Sequence, residues 1–148
     1  LEMSKELMDI TTSKNSSIDL IELIQKNQFL RKIFPNGFGD EIFFGQISLD
    51  VNGRILLGVH IKTKPVIEVE KWGLWGDDYN VVVISLLGKT AGDVIVKNHH
   101  FLSYAPFFVK MKDQILEICQ ADRNFEINLS LEYLIFQGCD VYIDTPTD

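Results

Sequence analysis

Apolar residues recur with a helical period near the start of the chain and with a period of two through most of the rest. Leu20, Leu23 and Ile24 form one helical stripe, which Leu30, Ile33 and Phe34 continue. Polar Gln25 to Gln28 interrupt it, so the predicted helix bends or splits there. Its start falls at Ser16 or Ser17, where Ser16 followed by Asp19 resembles a capping box, although that motif prefers Glu or Gln. Pro35 ends it, because proline disfavours helical geometry in the residue before it.

Beyond Gly39 the period falls to two. Phe43, Ile47, Leu49 and Val51 include one alternating set, and Ile55, Leu57, Val59 and Ile61 form another. Asn52-Gly53 between them signals a hairpin. A two-residue loop would turn the two sets to opposite faces. A three-residue loop of Val51, Asn52 and Gly53 pairs 49 with 55 and 47 with 57, which puts both sets on one face. Asp50 and Gly53 suit a type I turn followed by a glycine bulge, so this loop is expected.

Pro65 to Lys71 alternates Ile67 and Val69 with Glu68 and Glu70, as a half-buried strand with an acidic outer face would. Trp72 to Asp78 reads as a loop. Tyr79 to Leu87 is the most apolar strand, Gly88 to Gly92 a turn, and Val94 to Lys97 another strand. Residues 105–121 fit either a helical stripe or a hairpin turning at Asp113-Gln114, and the reading leans to the hairpin. Phe125 to Tyr133 alternates strictly, which favours antiparallel pairing with one wet face. Ile135 to Ile143 can return beside it through Gly138. The expected fold is α+β: a curved, largely antiparallel sheet or open barrel with an N-terminal helix packed on it. Leu1-Glu2 reads as a cloning remnant, and residues 1–17 as remnant and polar arm. Residues 18–144 then form a single domain and 145–148 a frayed tail.

Composition sharpens this picture. The 148 residues are 46% hydrophobic, enough for one domain with its own core. No apolar run reaches the roughly 18 residues that a membrane-spanning helix needs, and the start lacks a secretory pattern. Asp and Glu total 21 against 14 Lys and Arg, a net charge of -7. That balance argues against nucleic acid and an anionic membrane as partners, and it favours basic proteins. Cys119 and Cys139 form no CxxC and suit a reducing cytoplasm as apolar packers.

Catalytic and metal motifs are absent: no HExxH, GxSxG, P-loop or GxGxxG occurs. His99-His100 on a strand would face opposite ways, and His60 would lie solvated opposite the apolar face. No enzyme activity, metal or cofactor is therefore expected. Cys119 beside His99 or His100, or a carboxylate pair among Glu68, Glu70, Asp77 and Asp78, is a weaker catalytic alternative. One segment stands out, because Glu68, Glu70, Trp72, Trp75, Asp77, Asp78 and Tyr79 combine aromatic anchors with carboxylates. That mixture suits the contact surface for a basic partner. The alternative is that one or both tryptophans cap the core beneath a loop.

Ile33-Phe34-Pro35, then Gly37-Phe38-Gly39-Asp40-Glu41, lead into an amphipathic strand and an Asn-Gly turn. A tryptophan-bearing stretch and the Val81-Val82-Val83-Ile84 strand come next. This order, over roughly residues 29–100, resembles the small cytoplasmic immunity proteins of bacterial polymorphic toxins, contact-dependent growth inhibition systems among them. The resemblance implies inhibition of a cognate toxin domain, many such toxins being nucleases, by protein–protein binding without catalysis. The alternative is a small-molecule-binding β domain, for which Phe43, Phe44, Phe101, Phe107 and Phe108 supply apolar surface.

Overall fold

The computed structural model describes residues 19–146. Its strands are β1 (Ile24–Gln25), β2 (Glu41–Leu49), β3 (Arg54–Ile61), β4 (Val81–Lys97), β5 (Ala105–Lys112), β6 (Ile115–Ala121) and β7 (Glu126–Tyr142). They form one sheet in the order β1-β7-β4-β3-β2-β5-β6, and β6 also pairs with β7, so the sheet curls into a near-ring. Each of these pairings is antiparallel except β1 on β7. Among the described residues no helix is long and apolar enough to cross a membrane.

The expected α+β class is corrected to mostly β. The one α-helix among the described residues, α1 (Gln28–Ile33), has six residues. The predicted helix start at Ser16 or Ser17 lies outside the described residues, as does the polar arm 1–17. The apolar stripe opens in a 3-10 turn, Leu20–Leu23, capped by Asp19, whose side chain accepts a 3.2 Å hydrogen bond from the Ile21 N–H. The polar interruption does split the stripe. Lys26 takes a left-handed φ of 60°, and the Asn27 side chain donates to the Ile21 carbonyl at 2.7 Å. Ile24 and Gln25 are freed to pair with Leu134 and Ile135.

The hairpin register is as expected: Leu49 pairs with Ile55 and Ile47 with Leu57. Gly53 supplies the positive φ (81°) that closes such a loop. The Asp50 carboxylate accepts from the Asn52 and Arg54 N–H groups and from Arg54 Nε, and the Asn52 bond above all holds its pKa below the usual value. Phe43 departs from its predicted set. A bulge between Phe44 and Gln46 reverses side-chain parity, so Ile42 and Phe44 are buried inside and Phe43 turns outward.

Two expected turns prove to be bends within long strands. β4 runs unbroken through 88–92, with register shifts against β7 on both sides of Thr90. The Thr90 N–H and hydroxyl both donate to the Gly53 carbonyl, at 2.7 and 3.0 Å. There β4 parts from β3 while staying on β7. β7 likewise continues past Gly138, which sits at a bulge opposite Ser85. These bends let β4 and β7 serve both halves of the ring. The 105–121 segment is a hairpin, with Asp113 and Gln114 at positive φ in its two-residue turn. The expected strand at 65–71 does not form.

The ring is joined least at β2–β5, where only Glu41–Pro106 and Ile42–Ala105 pair. Pro106 has no N–H to give. Gln120, 1% exposed on β6, spans the seam: its Nε2 donates to the Ile42 and Ala105 carbonyls, both at 2.9 Å. Past this point β2 residues 43–49 pair only with β3.

Candidate functional site

Residues 62–80, between β3 and β4, form the longest irregular connection among the described residues. Connections of more than about 12–15 residues without regular structure are commonly functional. This one is anchored at several points. The Thr63 hydroxyl donates to the Phe38 carbonyl at 2.7 Å, and the Val66 N–H donates to the Ile33 carbonyl at 3.0 Å, satisfying the C-terminal end of α1. The alternating pattern at 65–71 failed as a strand because this backbone is committed to α1 and to the 3-10 turn Glu70–Trp72.

The expected contact residues divide into two groups. Trp72 and Tyr79 are buried, 8% and 2% exposed. The Trp72 ring meets Phe29 edge-on at 5.9 Å and Tyr79 at 5.8 Å, so this tryptophan caps the core. Trp75 is half-buried and packs edge-on against Tyr79 at 5.3 Å. Glu68, Glu70, Asp77 and Asp78 are all exposed. Asp78 shapes the loop, its carboxylate accepting the Leu74 N–H at 2.7 Å. Gly73, at φ 85°, lies against that carboxylate, and a Cβ there would run into it.

Sequence reading missed the apolar part of this surface. Ile67 and Leu74 are about half exposed, 49% and 53%, and flank a shallow hollow of about 210 Å³. Glu68, Trp75, Asp77 and Tyr79 also line it, together with Lys64 and Pro65. Burial and the Glu68 charge both raise the Tyr79 pKa. Ion pairs among the described residues engage Glu22, Asp50, Glu117, Glu126 and Glu132, and none reaches residues 68–78. The carboxylates of this face therefore keep their field.

A second hollow, about 490 Å³, lies at the open mouth between β2 and the end of β4. Phe44, Ile47, Leu49, Val96 and Leu102 give it apolar walls, with His99 and His100 at its side. The two histidines lie on a 3-10 turn, His99–Phe101, with ring centroids 6.0 Å apart, and not on a strand end. Among the described residues no three His, Cys, Asp or Glu side chains come together as a metal site requires.

His60 is half-buried on the outer face of β3, packed against Phe43 at 4.9 Å, and its Nδ1 shares a 2.9 Å hydrogen bond with the Tyr142 hydroxyl. Gly45 makes room for the ring; a Cβ there would collide with Nε2. Burial lowers the His60 pKa from 6.5. Its contribution to stability is thus complete above the unfolded value and lost as pH falls through the lower folded one. The melting temperature should fall between about pH 7 and 5, and His60→Gln should flatten that slope. Parallel pH profiles for the two proteins would refute this.

Both thiols are pushed in the unreactive direction: burial raises the Cys119 pKa and takes Cys139 up to about 12. An activated nucleophile needs the opposite shift. Iodoacetamide at about pH 7.5 should modify both far more slowly in the native than in the unfolded chain, as read by intact mass.

Comparison with protein-family models, curated proteins and solved structures finds no match.

Proposed function

We propose that this chain is an immunity-type inhibitor: a non-enzymatic cytoplasmic protein that binds and neutralises a basic bacterial toxin domain through the 64–79 face. One observation carries the reading. Ile67, Leu74 and Trp75 present apolar surface beside the unpaired carboxylates of Glu68 and Asp77, on a loop fixed to the core by Trp72 and Tyr79. Apolar anchors give a partner binding energy, and the surrounding charge steers it in and selects its sign. Buried Trp72 and Tyr79 hold the surface in shape, so little ordering cost remains at binding. The same field disfavours nucleic acid and anionic lipid.

The test is growth rescue. A partner captured from the source organism is expressed alone in a heterologous host, where it should arrest growth. Co-expression of this chain should restore growth, and the Glu68→Lys/Asp77→Lys variant should not. A captured partner without toxicity, or full rescue by the variant, would overturn the reading.

The β2–β4 mouth favours a second reading, a small-molecule-binding β domain. Its volume of about 490 Å³ falls within the range of roughly 300–1,000 Å³ typical of ligand pockets. Saturating decanoate should then raise the melting temperature by several degrees, since a ligand at 100 times its Kd stabilises by about 2.7 kcal/mol. No rise would remove this reading.

A further inference from the structure

Resting on the inhibitor reading, we infer that the hollow in the 64–79 face is a receptor for one arginine side chain of the partner. At about 210 Å³ it is smaller than the roughly 300 Å³ at which small-molecule pockets begin, yet it has room for a single long side chain. Its walls combine two things that a guanidinium seeks together. Half-buried Trp75, backed by the buried Tyr79 ring at 5.3 Å, supplies aromatic surface, and Glu68 and Asp77 supply carboxylates. Among the described residues neither carboxylate has a cationic partner within 4.0 Å. Glu68 and Tyr79 line the same hollow, so the acidic and aromatic walls act on one space.

Arginine fits better than lysine for physical reasons. Its planar, weakly hydrated ion stacks on aromatic rings and offers several donors in a fixed fork to carboxylates. A lysine ammonium is a compact and strongly hydrated charge, and it gives up more hydration on entering a partly apolar hollow. Pro65 and Ile67 would receive the aliphatic stem, as apolar surfaces do for long cationic side chains. Lys64 also lines the hollow and is exposed. It repels the incoming cation, so its removal should strengthen the site while removal of a carboxylate weakens it.

The experiment needs no toxin. Acetyl-arginine amide is titrated into the full chain while the Trp75 indole N–H resonance is followed by NMR, assigned with Trp75→Phe. The neutral citrulline analogue and acetyl-lysine amide serve as comparison probes. Saturable shifts with the arginine probe are expected, with at least tenfold weaker response to citrulline and several-fold weaker response to lysine. Glu68→Gln, a near-isosteric change at an exposed position, should weaken arginine binding about fivefold. Lys64→Met should tighten it two- to fivefold. Absence of a saturable shift, equal response to citrulline, or indifference to both substitutions would overturn the inference. Growth rescue with no arginine response would leave the inhibitor reading standing without this pocket. An arginine response without any toxic partner would leave the pocket and remove the inhibitor reading.

Discussion

Replacing Gln120 with leucine should lower the stability of this protein by about 1–3 kcal/mol, shifting the urea midpoint by roughly 0.5–2 M. The size reflects opposing terms. Leucine removes both Nε2 hydrogen bonds, to the Ile42 and Ala105 carbonyls, and each is worth about 0.5–1.5 kcal/mol net. The substitution also removes the Gln120 Oε1, a buried acceptor with no partner, which returns part of that loss. Two lost hydrogen bonds outweigh one relieved acceptor. Gln120→Glu should be worse at neutral pH, because it removes both donors and buries a charge. Part of that deficit should return in acid, where the protonated carboxyl regains one donor. Exposed Gln137 supplies the comparison: Gln137→Leu should change stability by less than about 0.5 kcal/mol. An unchanged midpoint for Gln120→Leu would show that the β2–β5 seam does not depend on this side chain.

The second large effect concerns association. Glu68→Lys with Asp77→Lys changes the net charge by two at each position, from -7 to -3. On the inhibitor reading, association with the captured partner should slow about 10- to 100-fold at low ionic strength, where steering acts over a Debye length of tens of ångströms. The difference should shrink as salt approaches 1 M, because screening there acts within about 3 Å. Reversing Asp93 and Asp122, both exposed on other parts of the chain, gives the same net charge. That control should slow association no more than about threefold. Equal slowing by the two pairs would show that the overall charge, and not this face, steers the partner. The urea midpoint of each variant, read beside the rate, separates a binding effect from unfolding.

Much of the sheet was legible in the sequence because alternation and turn chemistry agreed. The Asp50–Gly53 loop fixed its own register. At 105–121, where periodicity left helix and hairpin both open, the chain forms the hairpin, with Asp113 and Gln114 at positive φ. Several misreadings share one cause, which is that punctuation residues have more than one use. Gly88 to Gly92 and Gly138 look like turns, yet they accommodate bulges within continuous paired strands. Local sequence does not reveal that β4 and β7 are long enough to serve both halves of the ring. The bulge at Gly45 turned Phe43 outward for the same reason. The helix was overestimated because an apolar stripe cannot show where the chain will trade helical hydrogen bonds for a sheet edge, as Ile24 and Gln25 do.

The candidate site was legible in composition but not in depth. Its tryptophans and carboxylates were visible, and the structure shows Trp72 and Tyr79 to be core supports while Trp75 stays half-exposed. Ile67 and Leu74 went unnoticed because the strand expected at 65–71 would have turned Ile67 inward. Gln120 carried no signal at all: a polar residue in an apolar strand gains meaning only when the Pro106 seam is seen across from it.

The most direct test of the inhibitor reading is amide hydrogen exchange of this chain, free and bound to the captured toxin domain. Slowed exchange is expected across residues 66–79 in the complex, with little change at 43–49 and 98–102. Protection confined to 43–49 and 98–102, with 66–79 unchanged, would contradict it and move the binding surface to the β2–β4 mouth.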